Sequence, residues 1–170
     1  MSAYAAGKYL MSLFVGRGPT INIMRHLATT KALEDGADYI LHLDADEIYP
    51  EDTPEWLMKH MSDEKMVVAG LCADRTKNSS VTFDFTDESP RVQRRPLKPN
   101  GGLVQVDVTG LGGVMTDPKI YKLLGESYFE GLKGYGDDIS FCYNCKQKNI
   151  PIWCDTDLQF GHIVSIIKYP

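Results

Sequence analysis

Tyr39-Ile40-Leu41-His42-Leu43-Asp44-Ala45-Asp46-Glu47 decides how the rest of the chain is read, because an apolar run ends abruptly in carboxylates. Apolar and aromatic residues without helical spacing read as a buried strand of an α/β sheet. The end of such a strand is where open α/β sheets hold ligands. On an extended chain Asp44 and Asp46 point to the same side, since side chains alternate with a period of two. Two oxygen donors on one side suit a hard divalent cation, and such a cation suits a phosphorylated substrate. The competing reading is a solvated acidic turn that favours the dipole of a helix starting near Pro54.

Outward from this stretch the pattern alternates helix and strand. Before it, Pro19 opens a helix whose Ile21, Met24, Leu27, Ala28 and Leu33 keep one apolar face as far as Gly36. Further back, Ala3 to Leu13 has helix-like intervals and predicts a first helix running into a short strand at Leu13-Phe14-Val15. After it, Thr53 is the expected N-cap of a helix, and Lys65 to Cys72 is a second buried strand. Residues 73–99 are polar, charged and Pro-containing, and read as an insertion or flexible flap with an exposed strand at Val81 to Phe85. Leu103 to Thr109 alternates as a strand, Gly110-Leu111-Gly112-Gly113 adds backbone freedom, and Val114-Met115-Thr116 follows. Asp117-Pro118 starts a short helix; Asp137-Asp138 precedes another that ends near Pro151; Ile152 to Asp155 is a last strand leading to Gly161-His162. The fold class expected is α/β, in one domain spanning 1–170.

Composition narrows the function. A net charge of -5 gives no general attraction to nucleic acid or to an anionic membrane. No apolar run reaches the ~20 residues needed to span a bilayer, so a soluble, cytoplasmic chain is expected. Four cysteines, Cys72, Cys142, Cys145 and Cys154, do not form a secreted disulfide pattern.

Taken in order, these motifs resemble the metal-dependent glycosyltransferases of the GT-A fold, close to the family 2 type. Arg25-His26 on a helix, then Gly36 to Asp46, is similar to that family's helix leading into its Asp-x-Asp strand. Gly110 to Met115 is similar to its glycine-containing strand pair facing donor and acceptor sugars. Gly136-Asp137-Asp138 resembles the acidic pair that opens the helix carrying the base of inverting members. Ile152 to Asp155 with Gly161-His162 is similar to the closing strand and late metal-ligand histidine. The family's apolar first strand has no counterpart before Ala3, as in a compact or N-terminally truncated member.

The resemblance implies a Rossmann-like mixed sheet flanked by helices and transfer of a sugar from a nucleotide-diphosphate donor, most commonly a uridine diphosphate sugar, to a hydroxyl acceptor. It implies Asp46, Asp44 and His162 as metal ligands, with imidazole tilting the choice from Mg²⁺ to Mn²⁺. It also implies Asp44, Arg25 and Gly110 toward the donor, and Asp138 as general base with Asp137 holding local geometry. The acceptor, glycan, lipid or small molecule, is left open, and a homo-oligomer is compatible with all of this.

Each of these residues also has a plainer explanation. Arg25 suits a surface ion pair, Asp137 and Asp138 suit helix capping, and His162 suits an exposed histidine. Arg75, Arg91, Arg94 and Arg95 either close over an anionic ligand or form a solvated basic loop. Trp56 and Trp153 read as packing residues. Cys142 and Cys145 at helical spacing, with Cys154, raise zinc as a lesser reading beside buried thiols. Two other functions share the Asp-x-Asp strand end. One is a haloacid-dehalogenase-like phosphohydrolase, which leaves His162 without a role; the other is a non-catalytic sugar-nucleotide-binding module.

Overall fold

The computed structural model describes residues 2–6, 9–75, 79–86, 90–126, 128–130 and 132–163. Its centre is β5 (Val67–Cys72), all six residues of which are buried. That accounts for a near-continuous apolar run covered on both faces. The main sheet runs β3 (Ile40–His42), β10 (Val114–Thr116), β5, β11 (Ile152–His162), β4 (Glu47–Ile48), with β8 (Leu103–Val106) also on β11. β10 is antiparallel to both of its neighbours, whereas β11 is parallel to β5, so the sheet is mixed. Among the described residues four helices accompany it: α1 (Ile21–Glu34), α2 (Thr53–Met58), α3 (Lys119–Leu124) and α4 (Asp137–Gln147). The α/β class expected from the sequence is what the chain forms.

Two close approaches hold the sheet centre. A Cβ on Gly70 would lie 2.3 Å from the Phe160 ring, and one on Gly113 would lie 2.0 Å from it. Phe160 therefore fills the space that both glycines leave open, against Leu57, Val68, Met115 and Leu158. The larger cluster joins Val67, Ala69 and Leu71 to Phe129, Phe141 and Cys145.

Several local expectations are corrected. The helix predicted from Ala3 to Leu13 is instead a hairpin, β1 (Ser2–Ala6) antiparallel to β2 (Tyr9–Leu13), and Phe14-Val15 continues no strand. Its mix of Ala, Tyr, Leu and Met fits an extended register as readily as a helical one. Thr53 is the first helical residue of α2 rather than its N-cap; Asp52 holds the N-cap position without a side-chain capping bond, and the Thr53 hydroxyl donates to Pro50 O at 2.7 Å.

The stretch 73–99 contains β6 (Thr82–Phe85) and β7 (Val92–Arg94), which with β9 (Val108–Thr109) build a second, three-stranded sheet. β6 is half-buried rather than exposed, with Thr82 and Phe85 inside. The single strand expected from Leu103 to Thr109 breaks at Asp107, where the chain leaves the main sheet for the small one. Asp107 Oδ2 accepts from Phe85 N at 2.9 Å and from Lys146 Nζ at 3.0 Å, so one carboxylate ties the crossing point to β6 and to α4.

Asp155 anchors α2 to the sheet. Its buried Oδ2 accepts from Trp56 Nε1 at 2.6 Å and contacts His60 Nε2 at 2.7 Å, while Oδ1 accepts from Asp157 N at 3.0 Å. Burial alone would raise its pKa; those three hydrogen bonds and the His60 charge outweigh burial and hold it below the ordinary 3.8. A carboxyl with a depressed folded-state pKa stabilises above its unfolded value and loses that contribution as pH falls through the folded one. Urea unfolding measured from pH 7 down to pH 2 should show stability dropping in the acid limb. Asp155→Asn should flatten that limb, and an unchanged pH slope in the variant would show that Asp155 is not the group responsible.

Candidate functional site

The acidic stretch turns sooner than the sequence suggests. β3 ends at His42, Leu43 is exposed, and Asp44-Ala45-Asp46 is a turn in which Glu47 N donates to Asp44 O at 3.3 Å before β4 begins. Because this is a turn and not extended chain, Asp44 and Asp46 do not share one side. Asp44 Oδ1 accepts from Arg25 Nη2 at 2.5 Å, whereas Asp46 pairs with Arg75. The turn is braced by Tyr49, whose hydroxyl accepts from Asp44 N at 2.7 Å and donates to Glu47 Oε2 at 2.9 Å.

Arg25 is the residue that organises the charges. It sits in the middle of α1 with only 8% of its side chain exposed. Its Nε donates to Asp137 Oδ2 at 2.6 Å while its Nη2 holds Asp44, so one buried guanidinium joins the acidic turn to the acidic pair opening α4. Two expected site elements, distant in sequence, are thereby brought together; a surface ion pair is excluded for Arg25 by its burial. Burial and then the Arg25 charge push the neighbouring His42 down to about 3, so its imidazole is neutral, with Nε2 2.9 Å from the Tyr121 hydroxyl.

At the start of α4, Gly136 is the N-cap and Asp137 and Asp138 lie in the first turn, so neither aspartate caps. Asp138 has its pKa raised, first by burial and then by the Asp137 charge, against the opposing effect of the Ile139 N–H and Arg25. A carboxylate so placed holds a proton more readily than a solvated one, which is what a general base needs.

His162 reaches the acidic turn through strand pairing. β11 runs antiparallel to β4 with His162 opposite Glu47, and Ile163 N donates to Asp46 O at 2.8 Å. The backbone thus places His162 beside the Asp44–Asp46 turn, but its side chain goes elsewhere. Nδ1 meets Ala73 O and lies 3.7 Å from Cys72 Sγ, while Nε2 lies 3.2 Å from Glu47 Oε1. The side-chain set Asp46, Asp44 and His162 is therefore not assembled around one point. The group of possible ligands that is assembled among the described residues is Glu47, Cys72 and His162. Glu47 and Cys72 were not signalled by the sequence, where Glu47 looks like the tail of an acidic turn and Cys72 like the end of a buried strand.

Other expected residues are placed as follows. Gly110 donates its N–H to Val81 O at 3.4 Å, and a Cβ there would meet only Val81, at an ordinary 3.7 Å. Gly112 is the tight one, since its Cβ would lie 2.5 Å from the Glu47 carboxylate. Arg94 binds Asp74 and Ser79, and Arg95 binds Asp84, so both are neutralised within the small sheet. Cys142, Cys145 and Cys154 are buried free thiols; burial pushes Cys142 and Cys154 each up to about 12. The group of possible ligands excludes all three. Trp56 donates to Asp155, and Trp153 packs on the Phe160 cluster. No helix among the described residues is long and apolar enough to cross a membrane.

No protein-family model and no curated protein matches the chain. Among solved structures, the crystal structure of A197 from STIV is similar, with a TM-score of 0.67 and 17% identity over 88% of this chain and 70% of that one. At such identity the likeness is one of fold.

Proposed function

We propose that the chain is a GT-A-type glycosyltransferase acting on a nucleotide-diphosphate sugar. The observation that carries this reading is the Arg25 bridge, which brings the strand-end carboxylate Asp44 and the helix-opening pair Asp137-Asp138 to one place. A mixed sheet whose last strand returns to the acidic turn supports it.

The oxygen donors fit a hard cation. Asp46, 41% exposed and paired among the described residues with the still more exposed Arg75, is the carboxylate free to exchange partners, whereas Asp44 is held away by Arg25. Bound there with a donor, Mn²⁺ or Mg²⁺ would neutralise charge on the departing diphosphate. The chain's own residues supply the rest. Arg75, released from Asp46, offers its guanidinium to phosphate. Asp138 accepts the proton of the attacking hydroxyl. Asp137, fixed by Arg25, raises the proton affinity of Asp138 through its charge.

The test is hydrolysis or transfer of a panel of nucleotide-diphosphate sugars with Mn²⁺ present, alongside calorimetric donor binding. Asp138→Asn should lower turnover at least ~100-fold with donor binding nearly intact, and Asp46→Ala should abolish metal-dependent donor binding. Equal loss of binding in both variants would overturn this division of roles, and no binding to any nucleotide would overturn the reading itself.

A further inference from the structure

We infer that Glu47, Cys72 and His162 form a buried site for a borderline-soft divalent cation of the Zn²⁺ class, separate from the oxygen donors of the acidic turn. One ligand atom from each lies within 4.8 Å of the other two. Cys72 Sγ is 2.8 Å and His162 Nε2 is 3.2 Å from the same Glu47 Oε1. Ligands on one tetrahedral Zn²⁺ stand roughly 3.3 to 3.8 Å apart given its bond lengths, so small side-chain movements admit the ion. Carboxylate, thiolate and imidazole together favour Zn²⁺ or Co²⁺ over Mg²⁺ and Mn²⁺.

The framework is that of a built centre. The three ligands come from three strands in fixed register: His162 opposite Glu47, and Cys72 opposite Phe160, two residues before His162. His162 Nδ1 donates to the Ala73 carbonyl, which leaves the Nε2 lone pair facing inward, the tautomer that a supporting carbonyl selects in metal-binding histidines. The Tyr49 hydroxyl holds the other Glu47 oxygen, and the missing side chain of Gly112 makes room for that carboxylate. Both Glu47 and Cys72 are buried, and His162 nearly so. Without the ion the thiol hydrogen serves as the donor to Glu47; on binding, the S–H bond breaks, the proton leaves to solvent and the sulfur electron pair forms the bond to the metal. Three protein ligands leave a fourth position for water or a substrate oxygen.

Cobalt reports the thiolate directly. Co²⁺ added to chelator-treated protein should give a near-ultraviolet thiolate-to-cobalt charge-transfer band at one equivalent, reversed by Zn²⁺. The band should vanish in Cys72→Ser and persist in Asp46→Asn. Tyr49→Phe, which removes no ligand but takes away the hydroxyl that bonds Glu47 Oε2 and Asp44 N, should weaken Zn²⁺ binding roughly 10- to 100-fold in competition with a chromophoric chelator. Circular dichroism establishes that each variant is folded. Absence of the band in folded wild type, or its survival in Cys72→Ser, overturns the site. Loss in Asp46→Asn would mean instead that the ion belongs to the acidic turn. Sugar transfer is not read in any of these arms, so the transferase reading stands or falls separately.

Discussion

Replacing Arg25 by methionine should cost about 3 kcal/mol, a fall in Tm of roughly 6 to 12 °C for a chain of this size. The guanidinium is buried and satisfies Asp44 and Asp137 together. Removing it leaves the Asp137 carboxylate, itself only 9% exposed, without its counter-charge. Desolvated charge without a partner is the dominant penalty, larger than the lost packing of the side chain. Asp44 is more open to solvent and recovers part of its hydration, which keeps the cost toward the lower end of the range for broken buried pairs. The double variant Arg25→Met/Asp137→Asn should regain part of the loss, because the uncompensated charge is gone. A single variant melting within about 2 °C of wild type would show that the bridge contributes no net stability.

Gly113→Ala should be more damaging still, at about 4 kcal/mol. The residue has φ +76, a left-handed conformation that costs a side chain about 1 to 2 kcal/mol. The added methyl also meets Phe160 at 2.0 Å, an overlap worth roughly another 1 to 3 kcal/mol in a packed core. Gly36 is the matched control: its φ is +71 and a Cβ there meets nothing within 4 Å. Gly36→Ala should therefore show the conformational part alone. Denaturant midpoints for Gly113→Ala, Gly36→Ala and Gly113→Ala/Phe160→Leu separate the two contributions. Equal costs at both glycines would remove Phe160 from the explanation.

The legible parts of this chain were those with local causes. β5 reads from its unbroken apolar run, α1 from Pro19 and its periodic face, and α4 from the acidic pair before a helical pattern. The amino-terminal hairpin is not legible locally, because a short run dominated by Ala, Tyr, Leu and Met satisfies either period and only pairing with another strand decides between them. In the site, Asp44, Asp46, Asp138 and His162 stand out by type and position, and the fold does gather their backbones. What stayed hidden was partnership. Nothing local says that Arg25 will span to Asp137, or that Cys72 and Glu47 will meet His162, since the first joins two helices far apart in sequence and the second depends on β11 lying between β5 and β4. The split of Asp44 and Asp46 onto different arginines followed from a turn one residue earlier than strand periodicity allowed.

The place of β11 has a consequence for synthesis. The acidic turn and its arginine are made well before the strand that pins Glu47 and Asp46 and before the helix that supplies Asp137. Pairings between segments so distant in sequence form slowly, because the intervening chain must first be ordered. A nascent chain stalled before Ile152 would carry the turn without its clamp. A ribosome-held intermediate of that length should be cut by protease near residues 43–48, and should become resistant there only once His162 has cleared the exit tunnel.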